Sequence, residues 1–465
     1  MTRVTGMKKL HRMAAMMTVS ACILGVSAPP VTAETLSEVL AYTYRTNPTL
    51  NAARANLRIV DEGVPRAKGG WLPTVSSTLS VGYAKTDVET NLSSTDGNTT
   101  PKSAIVTVTQ PIYRGGRTEA DVNSAEYTVQ QERANMFDTE QNTLLNALTV
   151  YMNVIRDQSV LELQKKNRER LDTQLQATRD RFEVGEVTRT DVAQSEARVA
   201  VAEADLIQAE GNLISSRVAY ERIVGTVPTE LENPDIETTL PESREEAVEQ
   251  SVINNFALIA AKFDERRLGE TVDLVFGELL PSVNLVGSAE YAEDSGFNDD
   301  KTTELSVTAQ VVIPIYQKGQ VSARVRAAKE NANRSRIVVE SIRRDTVDLA
   351  ARAYEAWQTS VAQISALNAS VDAAEIALDG VQQEATVGAR TVLDVLDAEQ
   401  ELLDSQVSLV SANRDEVVAA YTLLLAMGKL TAADLNLEVE FYDYDKHYRD
   451  VIDRVWGTDV SGKLP

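Results

Sequence analysis

The chain has 465 residues and a formal net charge of −23, an acidity that argues against nucleic-acid binding, which needs a basic surface. Its only cysteine is Cys22 and its only histidines are His11 and His447. This inventory nearly excludes zinc sites, thiol catalysis and histidine-based triads, so we expect no enzymatic activity and no cofactor.

Residues 1–33 have the pattern of an export signal. A basic stretch ends at Arg12, an apolar stretch covers 13–28, and small residues up to Ala33 provide a cleavage site. We expect cleavage after Ala33. The alternative is a lipoprotein-type box ending at Cys22, which would leave a lipidated cysteine at the mature N-terminus. No later stretch reaches the ~18 to 20 apolar residues of a membrane-spanning helix.

The rest of the chain consists of two similar repeats, which we place at 34–240 and 241–434, followed by a C-terminal tail at 435–465. Matching residues lie 208 positions apart up to the first strand and 203 positions apart after the first β-hairpin. The pairs are Asn47 and Asn255, Pro73 and Pro281, Pro111 and Pro314, Gly185 and Gly388, and Gly225 and Gly428. Chance similarity does not hold one register over such a distance, so the pattern indicates an internal duplication.

Each repeat begins with a helical segment and continues into two stretches that alternate between apolar and polar residues. These predicted strands lie at about 74–84 and 104–113 in the first repeat and at about 282–291 and 303–316 in the second. The polar stretch 85–102 has the composition of a loop. Four strands cannot close a barrel, which needs about eight. Either the sheet is soluble, or several chains combine their strands, and three chains would supply twelve.

A long segment without helix-breaking residues follows each hairpin. The segment 117–184 contains neither proline nor glycine, and 320–387 contains only Gly380. A helix of this length reaches roughly 100 Å, enough to span a compartment. Val-Gly followed by Thr or Asp then predicts a reversal and a new helix cap, with hairpin tips at about 182–191 and 385–394.

The returning helices carry heptad repeats, which predict close packing against a neighbouring helix. The positions are Val192, Val199, Leu206, Leu213 and Tyr220 in the first repeat, and Leu396, Leu403, Val410, Val417 and Leu424 in the second.

Aromatic residues mark the junctions between helices and strands. Trp71, Tyr113 and Tyr316 lie next to prolines at these junctions. Trp and Tyr favour membrane–water interfaces, so we assign all three to such an interface. Simple packing at a helix–strand junction is an equal alternative for each residue taken alone.

Together these motifs resemble the TolC family of outer-membrane efflux and secretion channels. The motifs are Trp-Leu-Pro before a strand, Gln-Pro-Ile-Tyr-x-Gly-Gly after one, and above all the tip sequence 387–398. The resemblance covers about 35–430. It implies a mixed α/β membrane protein in the outer membrane of a Gram-negative cell, built as a homotrimer. Four strands per chain would contribute to a 12-stranded β-barrel that continues as a coiled α-helical barrel across the periplasm.

The resemblance further implies a passive exit duct in a tripartite efflux pump or a type I secretion system. The partners would be a periplasmic adaptor protein and an inner-membrane ABC or proton-driven pump. We also weigh an exported structural or adhesive helical bundle that forms no pore, although such a bundle would not need two β-hairpins with long polar loops.

Residues at the periplasmic entrance follow from the same resemblance. Asp394 and Asp397 share one side of the returning helix and correspond to the family's two acidic rings, which attract cations. The alternative is a pair of carboxylates favoured by the positive end of the helix. Arg390 corresponds to the family's gate arginine, and Thr190 and Asp191 correspond to its partners on the adjacent hairpin.

The tip residues themselves are assigned to adaptor docking, because small and apolar exposed residues allow a close approach. They are Val184 and Gly185 in the first repeat and Val387 and Gly388 in the second. Ala385 departs from the family, whose gate usually carries Tyr there. This departure predicts a looser closed state or a substitute donor.

Overall fold

The structure is a computed structural model, and it describes residues 34–90, 93–234, 240–294 and 300–460. The predicted signal peptide at 1–33, including Cys22, lies outside the described residues. Among the described helices, none contains an apolar stretch long enough to cross a membrane.

The first repeat begins with three short helices, α1 (Leu36–Thr46), α2 (Pro48–Asp61) and α3 (Gly63–Lys68), and a 3-10 turn follows at Gly69–Trp71. The corresponding helices of the second repeat are α6 (Arg244–Asn254) and α7 (Phe256–Phe276). A capping box begins α1: the Glu38 backbone N–H donates to the Thr35 hydroxyl, and the Glu38 carboxylate accepts from the Thr35 backbone.

Two hairpins of long helices account for most of the chain. The first consists of α4 (Arg117–Glu183) and α5 (Arg189–Val224), and the second of α8 (Gln320–Thr386) and α9 (Val392–Ala426). Both outgoing helices have 67 residues, which corresponds to about 100 Å. The hairpins therefore place their tips far from the strands.

Four strands form one antiparallel sheet, in the order β1 (Thr74–Val81), β4 (Lys102–Tyr113), β5 (Ser282–Glu293) and β6 (Lys301–Val312). The pairing of β4 with β5 joins the two repeats into a single sheet. Among the described residues, β1 and β6 each pair on one side only, so both edges of the sheet are unpaired within one chain.

The expectation of a loop over 85–102 is wrong. A second hairpin forms there, with β2 (Ala84–Thr90) paired to β3 (Ser93–Thr99). The Gly82 N–H donates to the Pro101 carbonyl at 2.9 Å, which connects this ladder to the main sheet. Strand pairing uses backbone groups, so a polar composition with the character of a loop does not prevent it.

The main core lies where the short helices pack on the four long ones. Its fully buried side chains include Leu50, Leu144, Leu148, Tyr151, Tyr220, Leu423 and Met427. Equivalent asparagines secure this region in both repeats. The Asn47 side chain donates to the Ile223 carbonyl at 2.9 Å, and that of Asn255 to the Ala426 carbonyl at 3.4 Å. The duplication thus extends to tertiary contacts.

The C-terminal tail forms α10 (Tyr444–Val451), which packs against α2 and α4 of the first repeat. The Arg133 guanidinium pairs with Asp445 at 2.5 Å, and His447 Nδ1 lies 3.0 Å from Oδ2 of the fully buried Asp61. These contacts fix the tail to α2 and α4.

Candidate functional site

The two hairpin tips have nearly the same backbone. Gly185 and Gly388 have φ values of 81° and 77°, a left-handed conformation that favours glycine and allows the helix to reverse. The preceding Val184 and Val387 are 72% and 80% exposed. In the single chain, the two valines assigned to docking are therefore accessible to a partner protein.

A capping box begins each returning helix. The Asp394 carboxylate accepts from the backbone N–H and the hydroxyl of Thr391, both at 2.8 Å. Asp191 accepts in the same way from Thr188, at 2.7 and 2.8 Å. The backbone hydrogen bond and then the hydroxyl hydrogen bond of Thr391 lower the pKa of Asp394 below its ordinary value of 3.8. Both hydrogen bonds therefore favour the charged form of Asp394 near the tip.

Arg390 bonds within its own hairpin. Its Nε donates to Glu384 Oε2 at 2.8 Å, and this hydrogen bond raises the pKa of the guanidinium. Thr190 is exposed in the first turn of α5, and the Asp191 carboxylate is engaged in its cap. Contacts from Arg390 to Thr190 and Asp191 stay a prediction for neighbouring hairpins.

Asp397 makes an ion pair that the sequence analysis missed. Arg198 Nη2, on α5 of the first hairpin, donates to Asp397 Oδ1, on α9 of the second, at 2.5 Å. The two side chains are 35% and 57% exposed. The sequence held one indication of a role for Arg198 at the entrance. Arg198 lies seven residues after Asp191, a predicted gate residue, and so lies on the same side of a coiled helix.

A small apolar cluster packs beside this ion pair. It contains Leu171 of α4, Ala202 of α5, and Val392 and Leu396 of α9. One turn away, Glu399 is 4% exposed and its pKa is raised by burial, an effect that the charge of Arg170 on α4 partly offsets. The two hairpins are thus packed together close to their tips.

An open cleft of about 380 Å³ borders the pair and is lined mainly by the second hairpin. Its lining is mostly acidic and polar: Arg198, Leu367, Asp397, Gln400, Glu401, Asp404, Ser405 and Ser408. Arg198 is the one cation among these side chains.

At the opposite end of the molecule, the strand register gives the sheet one apolar and one polar face. Leu79 lies opposite Ala104, Val108 opposite Gly287, and Ala289 opposite Leu305. The apolar face comprises Val75, Leu79, Val81, Ala104, Val106, Val108, Val283, Leu285, Ala289, Tyr291, Leu305, Val307, Ala309 and Val311. Ser and Thr dominate the other face, where Ser80 and Ser288 hydrogen-bond to Ser103 and Ser306 across the strands.

The three junction aromatics are exposed in the single chain. Trp71 is 50% exposed, Tyr113 47% and Tyr316 84%. Trp71 and Tyr113 lie at the same end of the sheet, since Gln110 of β4 donates to the Trp71 carbonyl at 2.9 Å. Burial in the core therefore does not account for these residues.

Comparison with known proteins identifies relatives of this chain. A family model described as outer membrane efflux protein matches residues 43–226 and again 247–429. The chain is 35% identical over 425 residues to the outer membrane efflux protein BepC of Brucella suis, covering 91% of this chain and 92% of BepC. It is 26% identical over 429 residues to the outer membrane protein TolC of Vibrio cholerae, covering 89% and 94%.

Solved structures show the same fold. The CmeC outer membrane channel of Campylobacter jejuni superposes with a TM-score of 0.77 at 14% sequence identity, covering 90% of this chain and 89% of CmeC.

Proposed function

Since the chain belongs to the outer membrane efflux protein family, we propose that three copies form one channel-tunnel that serves as the exit duct of an efflux pump or a type I secretion system. The protein is located in the outer membrane of a Gram-negative cell, with its helical part in the periplasm. Its family consists of transport ducts rather than enzymes.

The observation that carries the assembly is the four-stranded sheet with one apolar face and two edges that no other described strand of the chain pairs. Each unsatisfied backbone group costs several kcal/mol in lipid, so such a sheet is stable there only when other strands cover its edges. Three chains would pair β1 of one with β6 of the next and close a 12-stranded β-barrel. The apolar face would contact lipid and the Ser/Thr face would line the pore.

The same threefold arrangement would bring six long helical hairpins into one tube. The junction aromatics at its upper end, Trp71, Tyr113 and Tyr316, would lie at the membrane–water interface. Asp394 and Asp397 at its lower end would form two acidic rings. Two hairpins of about 100 Å per chain support this proposal, because a compact domain has no need of that length.

The exposed tips would dock a periplasmic adaptor that is attached to an inner-membrane ABC or proton-driven pump. Val184-Gly185 and Val387-Gly388 support this proposal because they are apolar, small and accessible. The energy for transport would come from the pump, and the channel itself would act passively.

The test is the single-channel conductance of the purified trimer in a planar bilayer, with wild type compared to Asp394→Ala/Asp397→Ala. We expect a small, cation-selective conductance in wild type and a larger or less selective one in the double variant. Pores that are identical in both proteins would contradict the acidic rings but not the duct. A folded trimer that forms no pores would contradict the duct and favour a structural bundle.

A further inference from the structure

We propose that Arg198 is a gate and selectivity residue: it joins the two hairpins of one chain through Asp397 and masks that carboxylate as long as the hairpins stay packed. This inference rests on the proposed function. It adds a second cationic residue, besides Arg390, to the entrance, and it supplies a substitute donor of the kind expected from Ala385.

The position of the pair makes it a link between hairpins. Arg198 lies on α5 and Asp397 on α9, so the 2.5 Å contact between them crosses from the first hairpin to the second. A second link, from Arg414 Nε to Asn153 Oδ1 at 3.0 Å, lies farther along α9 from the tip. Separation of the hairpins at the tip would therefore break the Arg198 contact first.

Apolar residues next to the ion pair also hold the two hairpins together at this level. Leu396 precedes Asp397 directly and is 2% exposed in the apolar cluster, and Ala202 lies one turn after Arg198 in the same cluster. The ion pair thus lies beside a packed seam in which α9 meets α4 and α5 of the first hairpin. Moving α9 away from α5 would expose this seam and remove Arg198 from the carboxylate of Asp397 together.

The two acidic rings consequently differ in behaviour. Asp394 accepts its hydrogen bonds from Thr391 of the same hairpin, so its charge does not depend on whether the two hairpins are packed or separated. The charge of Asp397 is compensated by Arg198 in the packed state and uncompensated after separation. We therefore expect the channel to become more cation-selective as it opens.

The pair is suited to reversible opening because it is partly exposed. Ion pairs of this exposure are weak and are screened by salt, with a Debye length of about 10 Å at 0.1 M and about 3 Å at 1 M. A docked partner could displace such a contact, whereas a fully buried pair would resist it.

Single-channel recording with four variants tests the inference. Arg198→Gln breaks the link and unmasks Asp397, so we expect an open probability about two- to fivefold higher and a reversal potential shifted toward cations. Asp397→Asn breaks the same ion pair but leaves the positive charge of Arg198 instead of an uncompensated carboxylate. It should raise the open probability equally but shift the reversal potential away from cations. Arg198→Lys should retain most of the wild-type behaviour.

The matched control is Arg179→Gln. Arg179 pairs with Glu196 at 2.7 Å within the first hairpin, at similar exposure, so this variant changes the net charge equally without touching the link. We expect it to resemble wild type in both measurements.

Identical recordings from Arg198→Gln and Arg179→Gln, in wild-type-like pores, would overturn the inference and leave the proposed duct intact. Equal shifts of the reversal potential in Arg198→Gln and Asp397→Asn would also overturn it, because that result would mean a purely structural role. Absence of pores in wild type would instead count against the duct itself.

Discussion

At the scale of single residues, the duplicated tip shows how one local motif holds a carboxylate in place. Thr391 and Asp394 repeat the geometry of Thr188 and Asp191, with two hydrogen bonds to each carboxylate. At Asp394 the bonds stabilise the ionised form, so the element that begins α9 also lowers the pKa of that carboxylate.

This geometry predicts how selectivity depends on pH. The pKa of Asp394 is lowered from 3.8, so its carboxylate stays charged as pH falls past that value, and its charge and the cap are lost only as pH falls through the lowered pKa. We expect the selectivity difference between wild type and Asp394→Asn to persist from about pH 7 to below about pH 4.

Reversal potentials in a salt gradient, recorded over this pH range, measure that difference. Thr391→Val is the informative comparison, because without the hydroxyl bond the midpoint should move up toward the ordinary value. A wild-type difference that is already lost between about pH 6 and about pH 5 would contradict the prediction.

At the scale of elements, the two repeats differ in how tightly the end of the returning helix is packed. Gly225 and Gly428 are equivalent in sequence and both have positive φ, at 97° and 72°. A Cβ at Gly225 would only reach the Tyr42 ring at 4.0 Å, whereas a Cβ at Gly428 would collide with the backbone carbonyl of Asn254. Position 428 thus requires glycine both for its positive φ and for lack of space, whereas position 225 requires it for the positive φ alone.

We therefore predict that Gly428→Ala destabilises the protein more than Gly225→Ala. The positive φ costs each alanine about 1 to 2 kcal/mol. The collision with Asn254 adds about 1 to 3 kcal/mol at residue 428 alone. Thermal unfolding of the two purified variants beside wild type measures the difference. Equal losses would show that α6 can move aside without cost.

At the scale of the whole molecule, the sheet and the hairpins form one continuous body in which the repeats meet at β4 and β5. This pairing matters because a shift of one residue would move every apolar side chain to the opposite face. The observed register instead places most of the apolar residues of the four strands on one face.

A pair of arginine substitutions on β6 tests this orientation. Val307 lies on the apolar face and the adjacent Thr308 on the polar face. If the apolar face contacts lipid, Val307→Arg should cost about 2 to 4 kcal/mol of insertion free energy near the membrane midplane, whereas Thr308→Arg should be tolerated. The yield of folded trimer in isolated outer membranes distinguishes the two. Equal yields would contradict the proposed orientation.

Features that depend on nearby residues were accessible from the sequence alone. The alternation of the strands, the uninterrupted helices, the Val-Gly reversals and the helix caps each arise from residues a few positions apart, and their chemistry is fixed locally. Two local expectations failed: the loop over 85–102, where polar residues nevertheless form β2 and β3, and the end of the last strand, expected at about 316 and observed at Val312.

Only the tertiary structure decided which distant residues meet. Arg198 had many carboxylates available along α9, and the packing of Leu171 and Leu396 sets the axial position at which it meets Asp397. The pairing of β4 with β5 and the docking of the tail through His447 and Asp61 are decided in the same way. Sequence periodicity determines which face of an element is buried, but the partner of that face depends on the shape and register of elements far away in the chain.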